Sequence, residues 1–123
     1  MKKESVGFYG KLPIVGDFIT RRLPKEFINS LDQWMQNSIS VSKDELAGEW
    51  LELYLTSPIW RFSFQSGVCG ENAWAGIVMP SVDKVGRYYP LTLACKVEEN
   101  ASMALVLVQN GDWFNRLEEI ALA

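Results

Sequence analysis

The sequence predicts a single α+β domain, residues 1–123, in which a mainly antiparallel sheet packs against helices. Three observations support this fold class. Residues 60–97 hold three strand patterns joined by turns too short for parallel crossovers, which need about a dozen residues or more. The residues before this region show two amphipathic helix patterns, and the residues after it are mainly helical in pattern. A chain of this length buries about two thirds of its unfolded surface, which suffices for a core.

The three central strand patterns differ in the number of faces that they bury. Trp60, Phe62 and Phe64 alternate with polar residues, which predicts a half-buried strand with three aromatic side chains towards the core. Ala73–Met79 is apolar throughout and is typical of a central strand covered on both faces. Tyr89–Val97 alternates again and completes a three-stranded meander.

A further strand and two helices are predicted ahead of the meander. Val6–Leu12 alternates and ends at a proline, which predicts the first strand of the sheet. A first helix is predicted over Pro24–Ser38, with Trp34 on its apolar face. Ser42 and Glu45 match a capping box, so a second helix is expected to begin there. The apolar face of this second helix comprises Leu46, Trp50, Leu53 and Tyr54.

The last part of the chain has a weaker pattern. Ala101–Gln109 is almost entirely apolar and mixes helix formers with strand formers. Helix and strand are therefore both retained as predictions for this segment, and helix is favoured. Asp112 is expected to cap a final helix that places Trp113, Leu117 and Ile120 on one face. The helical pattern is still running at the last residue.

The composition excludes several classes of function. Twelve basic and fifteen acidic residues give a net charge of −3, which argues against the clustered basic face of a nucleic-acid-binding protein. The chain has no histidine, so Ser-His and Cys-His nucleophiles are excluded. Cys69 and Cys95 are too few for a zinc site, and Cys95 is predicted to face the core, with no disulfide needed. We therefore expect neither a metal nor another cofactor.

The apolar runs bear on the location of the protein. The two lysines that follow the first residue are not followed by an apolar stretch, so no signal peptide is expected. The longest apolar runs, Ala73–Pro80 and Met103–Val108, are too short to span a bilayer. We expect a cytoplasmic protein without membrane insertion.

Two short motifs resemble catalytic signatures but lack the required spacing. Gly7–Lys11 has two residues between its glycines where a phosphate loop has four, and it indicates a strand with Lys11 exposed. Ser81–Lys84 spells the serine-lysine signature of acyl transfer, but the preceding proline and Gly86 favour a hairpin turn. The tryptophans would suit stacking on sugars or bases, but their positions on apolar faces favour core packing. The sequence thus predicts no catalytic residue.

Two polar residues are not explained by these patterns. Asp17 lies in a glycine-containing loop, and Arg87 lies beside the predicted hairpin turn. A structural Asp17–Arg87 pair that locks the loop onto the hairpin is the favoured hypothesis, because aspartates in such loops often accept bonds from local amides. A surface that contacts a partner is the alternative.

Two longer motifs carry a resemblance to a known family. The first is GFYGKLP at 7–13 with GDF at 16–18. The second comprises WRF at 60–62, VCG at 68–70, AWAG at 73–76, MPSVD at 79–83, VGRY at 85–88 and PLT at 90–92. With DWF at 112–114, these motifs extend over nearly the whole chain, which resembles the type VI secretion-associated proteins of the TagF/ImpM family. Members of that family are usually longer, so the resemblance implies a short or truncated member.

The resemblance implies a non-enzymatic, cytoplasmic accessory regulator of the bacterial type VI secretion system. Similar proteins act as post-translational repressors through protein–protein binding and are linked to a forkhead-associated scaffold protein. A structural subunit or adaptor of the apparatus, or a small enzyme, is the alternative. By analogy, a meander flanked by helices is similar to longin-like or profilin-like adaptor domains. The open apolar stripe of the last helix is typical of self-association, so a homo-oligomer is expected as well.

The positions of the motifs predict one partner-binding surface. It joins the glycine loop that follows the first strand to the hairpin that precedes the last strand of the meander. The candidate residues are Lys11, Gly16, Asp17, Phe18, Ser81, Asp83, Arg87 and Tyr88.

Overall fold

The computed structural model describes residues 6–13, 16–70, 72–97 and 111–122, which form a five-stranded antiparallel sheet with helices on both faces. The elements in chain order are β1 (Gly7–Gly10), β2 (Ile19–Arg21), α1 (Lys25–Leu46), α2 (Trp50–Leu55), β3 (Trp60–Phe64), β4 (Ala73–Met79), β5 (Leu91–Val97) and α3 (Gly111–Leu122). A 3₁₀ turn over Ala47–Glu49 joins α1 to α2. The predicted α+β class is confirmed, and the helix favoured over Ala101–Gln109 lies outside the described residues.

The strand order is β2-β1-β5-β4-β3, and every neighbouring pair is antiparallel. The predicted meander of β3, β4 and β5 is confirmed, with Phe62 opposite Gly76 and Ile77 opposite Leu93. The first strand is shorter than the predicted Val6–Leu12, because β1 ends at Gly10 and its pairing with β5 ends at Tyr9. The sequence patterns did not predict β2, since its three residues are too few to show an alternation.

Side chains alternate between two cores, one on each face of the sheet. The core under α3 is formed by Ala73, Ala75, Ile77, Leu91, Leu93, Cys95, Val97, Trp113, Phe114 and Leu117. The core under α1 is formed by Phe27, Leu31, Met35, Cys69, Trp74, Tyr89 and Ala94. The predictions that β4 is covered on both faces and that Cys95 faces the core are therefore confirmed. Both thiols are free, and burial raises the pKa of Cys95 to about 11, which keeps that thiol protonated.

The helical region differs from its prediction, because α1 continues for 22 residues through the serine-rich segment. The Ser42 hydroxyl donates to the carbonyl of Ile39 at 2.9 Å and accepts the indole N–H of Trp50 at 2.9 Å. The predicted capping box of Ser42 and Glu45 is therefore wrong, since the Ser42 hydroxyl bonds to a carbonyl within α1 and to an indole of α2. The helix ends where Ala47 adopts a positive φ of 47°.

Some apolar side chains that were predicted to face the core are exposed. Trp34 is 56% exposed and Trp60 is 61% exposed, and Leu46, Leu53 and Ile120 are also exposed. Periodicity correctly groups residues that share a face of a helix or strand. It does not show how far the neighbouring layer extends, so side chains beyond its limit were assigned to the core wrongly.

A surface ion pair connects α3 to β3. The Nε atom of Arg61 lies 2.8 Å from Oε1 of Glu118, and its Nη2 atom donates to Oδ1 of Asn115 at 2.7 Å. The Arg61 guanidinium also lies 5.3 Å from the ring centroid of Phe114. Hydrogen bonding from Arg61 lowers the pKa of Glu118, which keeps the carboxylate charged at neutral pH.

A double-mutant cycle of Arg61→Ala and Glu118→Ala should give a coupling free energy of about 0.5–1 kcal/mol, since both side chains are partly exposed to solvent. Urea unfolding of the four proteins measures it, and the coupling should shrink at 1 M salt because exposed charges are screened (Debye length about 3 Å). Strictly additive losses would show that the pair does not hold α3 on the sheet.

Candidate functional site

The hairpin between β4 and β5 is built around the carboxylate of Asp83, whose residue is only 3% exposed. Its Oδ1 atom accepts the backbone N–H groups of Val85 at 3.0 Å and Arg87 at 2.9 Å. Its Oδ2 atom lies 2.7 Å from Nε of Arg87 and 3.5 Å from Nζ of Lys11. Gly86, at a φ of 89°, lets the chain reverse between these donors. The turn is thus a socket closed around one buried anion.

The charge state of Asp83 follows from these contacts. Burial by itself raises the pKa of the carboxyl, but the hydrogen bonds from Arg87 and the charges of Arg87 and Lys11 outweigh it. The net effect is a pKa below the ordinary value. Asp83 therefore stays ionised at neutral pH and acts as a structural anion, not as a proton donor.

Three contacts attach the hairpin to the chain that follows β1. The Ser81 hydroxyl donates to the carbonyl of Lys11 at 2.5 Å, and Nη2 of Arg87 donates to the carbonyl of Gly16 at 2.6 Å. The Lys11 ammonium also reaches the Asp83 carboxylate. Lys11 is only 7% exposed, so the prediction of an exposed lysine is wrong: its ammonium turns inward to the buried anion.

The prediction that Asp17 pairs with Arg87 is wrong, although Arg87 does hold the loop on the hairpin. Arg87 pairs with Asp83 and reaches the loop through the carbonyl of Gly16. Asp17 is exposed, and its Oδ1 atom accepts the backbone N–H of Phe18 at 2.7 Å. Asp17 therefore shapes the loop locally, as expected for an aspartate beside a glycine.

The ring of Phe18 is held by three neighbouring groups and is still 41% exposed. It stacks on Tyr9 with ring centroids 5.5 Å apart and meets Tyr89 edge to face at 4.7 Å. The Lys11 ammonium lies 4.9 Å from its centroid. Aromatic pairs of this kind contribute about 0.5–1.5 kcal/mol beyond their buried area. Phe18 is thus a fixed aromatic side chain at the surface.

Asp32 of α1 supports this aromatic cluster from below. Its Oδ1 atom accepts the hydroxyls of Tyr9 at 3.2 Å and Tyr89 at 2.6 Å. Burial raises the pKa of Tyr9 to about 12 and also raises that of Tyr89, so both hydroxyls remain donors at neutral pH. The cluster therefore connects the loop, the sheet and α1.

Sequence reasoning missed these supporting residues, although one signal was present. Asp32 interrupts an apolar stripe of Ile28, Met35 and Ile39 at helical spacing, and a carboxylate in such a stripe needs a donor. Tyr54 was assigned only to an apolar face. Its hydroxyl donates to the carbonyl of Ser81 at 2.8 Å and accepts the N–H of the same residue at 2.9 Å.

All the candidate residues lie in the loop and the hairpin, but they differ in exposure. Gly16, Asp17, Phe18 and Arg87 are exposed. Ser81 and Tyr88 are half-buried, and the Tyr88 ring packs against Trp50 and Tyr54. The side chains of Lys11 and Asp83 are buried beneath the exposed residues of the loop and the hairpin.

Residues 6–13, 16–70, 72–97 and 111–122 contain no group of three or more Cys, Asp and Glu residues arranged to hold a metal ion. In the same ranges, no helix has the length and apolar character needed to cross a membrane.

The fold and the site define a small α+β domain in which a buried Asp83 socket and a Tyr9–Tyr89–Asp32 cluster lie beside the exposed residues Gly16–Phe18. The chain belongs to the TagF N-terminal domain family, which is type VI secretion system-associated, and the family matches residues 7–123.

One solved structure places this fold in a longer protein. The crystal structure of PA0076 from Pseudomonas aeruginosa PAO1 is 47% identical to this chain and superposes with a TM-score of 0.92. The match covers 96% of this chain and 54% of that one, so this chain spans about half the length of the protein it resembles. Comparison with curated proteins gave no match.

Proposed function

We propose that this chain is a non-enzymatic regulator of the bacterial type VI secretion system, a cytoplasmic repressor that acts by binding another protein. Family membership supports the link to the secretion system. The binding mode is supported by one observation: Phe18, an exposed aromatic side chain, is held in place by Tyr9, Tyr89 and Lys11. Binding hot spots are enriched in rigid aromatic and arginine side chains.

The proposed contact surface consists of the exposed residues Gly16, Asp17, Phe18 and Arg87. A fixed side chain loses little conformational entropy on binding, so more of the contact energy appears as affinity. Lys11 and Asp83 lie beneath this surface and keep the loop in its binding conformation. The proposed arrangement therefore separates contact residues from supporting residues.

The proposed mechanism requires no bond-making chemistry. The domain binds one state of a secretion component and lowers the concentration of the form that is competent for assembly. Such a shift needs only a difference in affinity between two states of the component. A forkhead-associated scaffold protein is the proposed partner, as the family resemblance implies.

Phe18→Ala should reduce capture of the secretion partner at least about tenfold, which corresponds to about 1.4 kcal/mol of binding free energy. The measurement is a pull-down from cells that carry the secretion cluster, combined with an assay of apparatus firing. Ile120→Ala, which truncates an exposed apolar side chain on α3, is the matched control and should bind and repress normally. Thermal unfolding of both variants shows whether the fold is kept.

Three results would contradict this proposal. Full repression by a folded Phe18→Ala protein would place the contact surface elsewhere. Recovery of the chain in fixed stoichiometry with the assembled apparatus would identify a structural subunit. Substrate turnover by the purified chain would identify an enzyme.

A further inference from the structure

The Asp83 socket contains more positive than negative charge. Asp83 supplies one buried carboxylate, and both Lys11 and Arg87 direct a cationic group at it. One of these cations is enough to neutralise the anion. Lys11 does so from inside, because its side chain is only 9% exposed, whereas the side chain of Arg87 is 59% exposed. The excess positive charge of the socket therefore lies at the surface, on Arg87.

The guanidinium of Arg87 is held in one orientation but still has free donors. Its Nε atom donates to Asp83 at 2.7 Å, and its Nη2 atom donates to the carbonyl of Gly16 at 2.6 Å. In the part of the chain that the structure describes, Nη1 has no acceptor. A carboxylate fits the fork of a guanidinium with two parallel hydrogen bonds. The end formed by Nη1 and Nη2 can therefore receive a carboxylate from another molecule.

The charges around the contact surface are mainly positive, although the chain as a whole is acidic. Residues 7–22 and 80–90, which contain the loop and the hairpin, hold five basic and two acidic residues. The rest of the chain holds seven basic and thirteen acidic residues. Lys84 is exposed in the hairpin turn, and Asp17 is the exposed carboxylate of these two segments. The positive region is therefore local. It favours a small anionic group over an extended polyanion, which the acidic remainder of the chain would repel.

An apolar contact group lies beside this positive charge. Arg87 bonds to the loop two residues before Phe18, and the Phe18 ring is 41% exposed. The rings of Tyr9 and Tyr89 hold it in place. Behind those rings, the Asp32 carboxylate accepts both tyrosine hydroxyls, so hydrogen bonds on the inner side already stabilise its charge. A partner that fits this surface carries an apolar side chain for the ring and an anion for the guanidinium.

We propose that the contact surface binds a segment of the partner protein in which an apolar side chain neighbours a carboxylate. The carboxylate pairs with the free end of the Arg87 guanidinium, and the apolar side chain packs on Phe18. A single negative charge matches the single excess charge of the socket, whereas a phosphate dianion would bring a second charge towards Asp17. Both contact groups are fixed before binding, which favours affinity. The inference rests on the proposed function, since it names the chemistry of the partner at the same surface.

Two charge substitutions with opposite expected effects test the carboxylate. Arg87 itself is kept, because it also closes the Asp83 socket. Lys84→Glu should reduce capture of the partner at least about threefold, since it brings a negative charge towards the bound carboxylate. Asp17→Asn should increase capture by a similar factor, since it removes a repelling charge. The asparagine oxygen can still accept the N–H of Phe18, so the loop keeps its hydrogen bond.

The measurement is a pull-down with each immobilised variant from cells that carry the secretion cluster. The band that is quantified is the protein that the wild-type chain retains and Phe18→Ala does not. Arg116→Glu and Asp112→Asn are the matched controls, because they make the same changes of charge at exposed positions of α3, and both should retain this band normally. The effects of Lys84→Glu and Asp17→Asn should shrink at about 1 M salt, where the Debye length is about 3 Å. Thermal unfolding of each variant shows whether the fold is kept.

Several outcomes would overturn this inference. Unchanged capture by both charge variants, or a loss in both, would do so while Phe18→Ala still fails to bind, and the proposed function would then stand. Normal capture by Phe18→Ala would contradict the proposed function and this inference with it. The captured band should survive phosphatase treatment of the cell extract, and its loss would identify a phosphate as the bound anion. The chain should not bind phosphatidylcholine vesicles that contain phosphatidylserine, and binding to them would identify a lipid surface in place of a protein segment.

Discussion

Asp83→Ala should lower the thermal midpoint by about 10 °C or more, because it leaves a buried ammonium and two backbone donors without their acceptor. The Lys11 ammonium, at 7% exposure of its residue, loses its counter-charge. The N–H groups of Val85 and Arg87 lose their shared acceptor. Scanning calorimetry of the purified variant measures the shift, and the Phe18 loop should loosen at the same time.

A second substitution, Lys11→Met, separates the cost of the unpaired lysine from the other effects of Asp83→Ala. If part of the destabilisation arises from the buried ammonium, Lys11→Met in the Asp83→Ala background should recover part of the midpoint. Methionine has a similar length and no charge, and a buried ion pair replaced by apolar groups is often tolerated. A further loss in the double variant would show that Lys11 stabilises the fold through contacts other than Asp83, such as the Phe18 ring.

The substitution Asp83→Asn tests the charge of Asp83 through the pH dependence of the free energy of unfolding. The pKa of Asp83 is lower in the folded chain than in the unfolded chain, where it is about 3.9. Its stabilisation is therefore fully present above the unfolded pKa and is lost as the pH falls through the folded pKa. The stability difference between wild type and Asp83→Asn should shrink below about pH 4. A difference that stays constant through that range would contradict an ionised Asp83.

The strands of the meander could be predicted because their patterns report burial directly. Ala73–Met79 is apolar at every position, and the strand is indeed covered on both faces. β2 could not be predicted in this way, since Ile19–Arg21 becomes a strand only by pairing with β1. The full length of α1 could not be predicted, because Ser42 suggested the start of a new helix. In the structure its hydroxyl instead donates to the carbonyl of Ile39 within α1.

The contact between the glycine loop and the hairpin could be predicted, but the partners of the individual side chains could not. The loop and the hairpin do meet, through the contacts of Ser81 and Arg87. Which charged side chains turn inward depends on partners that are distant in the sequence, and periodicity carries no such information. Lys11 was therefore assigned to the surface and Arg87 to the wrong carboxylate.

Gly76→Ala should be at least as damaging as the loss of Asp83, although it adds only one methyl group. Gly76 lies in the middle of β4, opposite Ala94 of β5. A Cβ atom at this position would overlap the carbonyl oxygen of Leu93 and approach the Cα atom of Ala94 to 2.8 Å. These are backbone atoms of a paired strand, so they cannot rotate away as a side chain would. We expect a loss of about 3 kcal/mol or more in the free energy of unfolding, at the upper end for overpacking.

Gly48→Ala is the matched control for this substitution. Gly48 lies in the 3₁₀ turn between α1 and α2, and a Cβ atom there meets no other atom within 4 Å. Removing backbone freedom from the unfolded chain at such a site stabilises a protein by about 0.4–1 kcal/mol. The urea midpoint of unfolding, followed by circular dichroism, should therefore fall for Gly76→Ala and rise for Gly48→Ala. Equal midpoints would mean that β4 and β5 can separate without cost, which would also remove the rigid base on which the Asp83 socket depends.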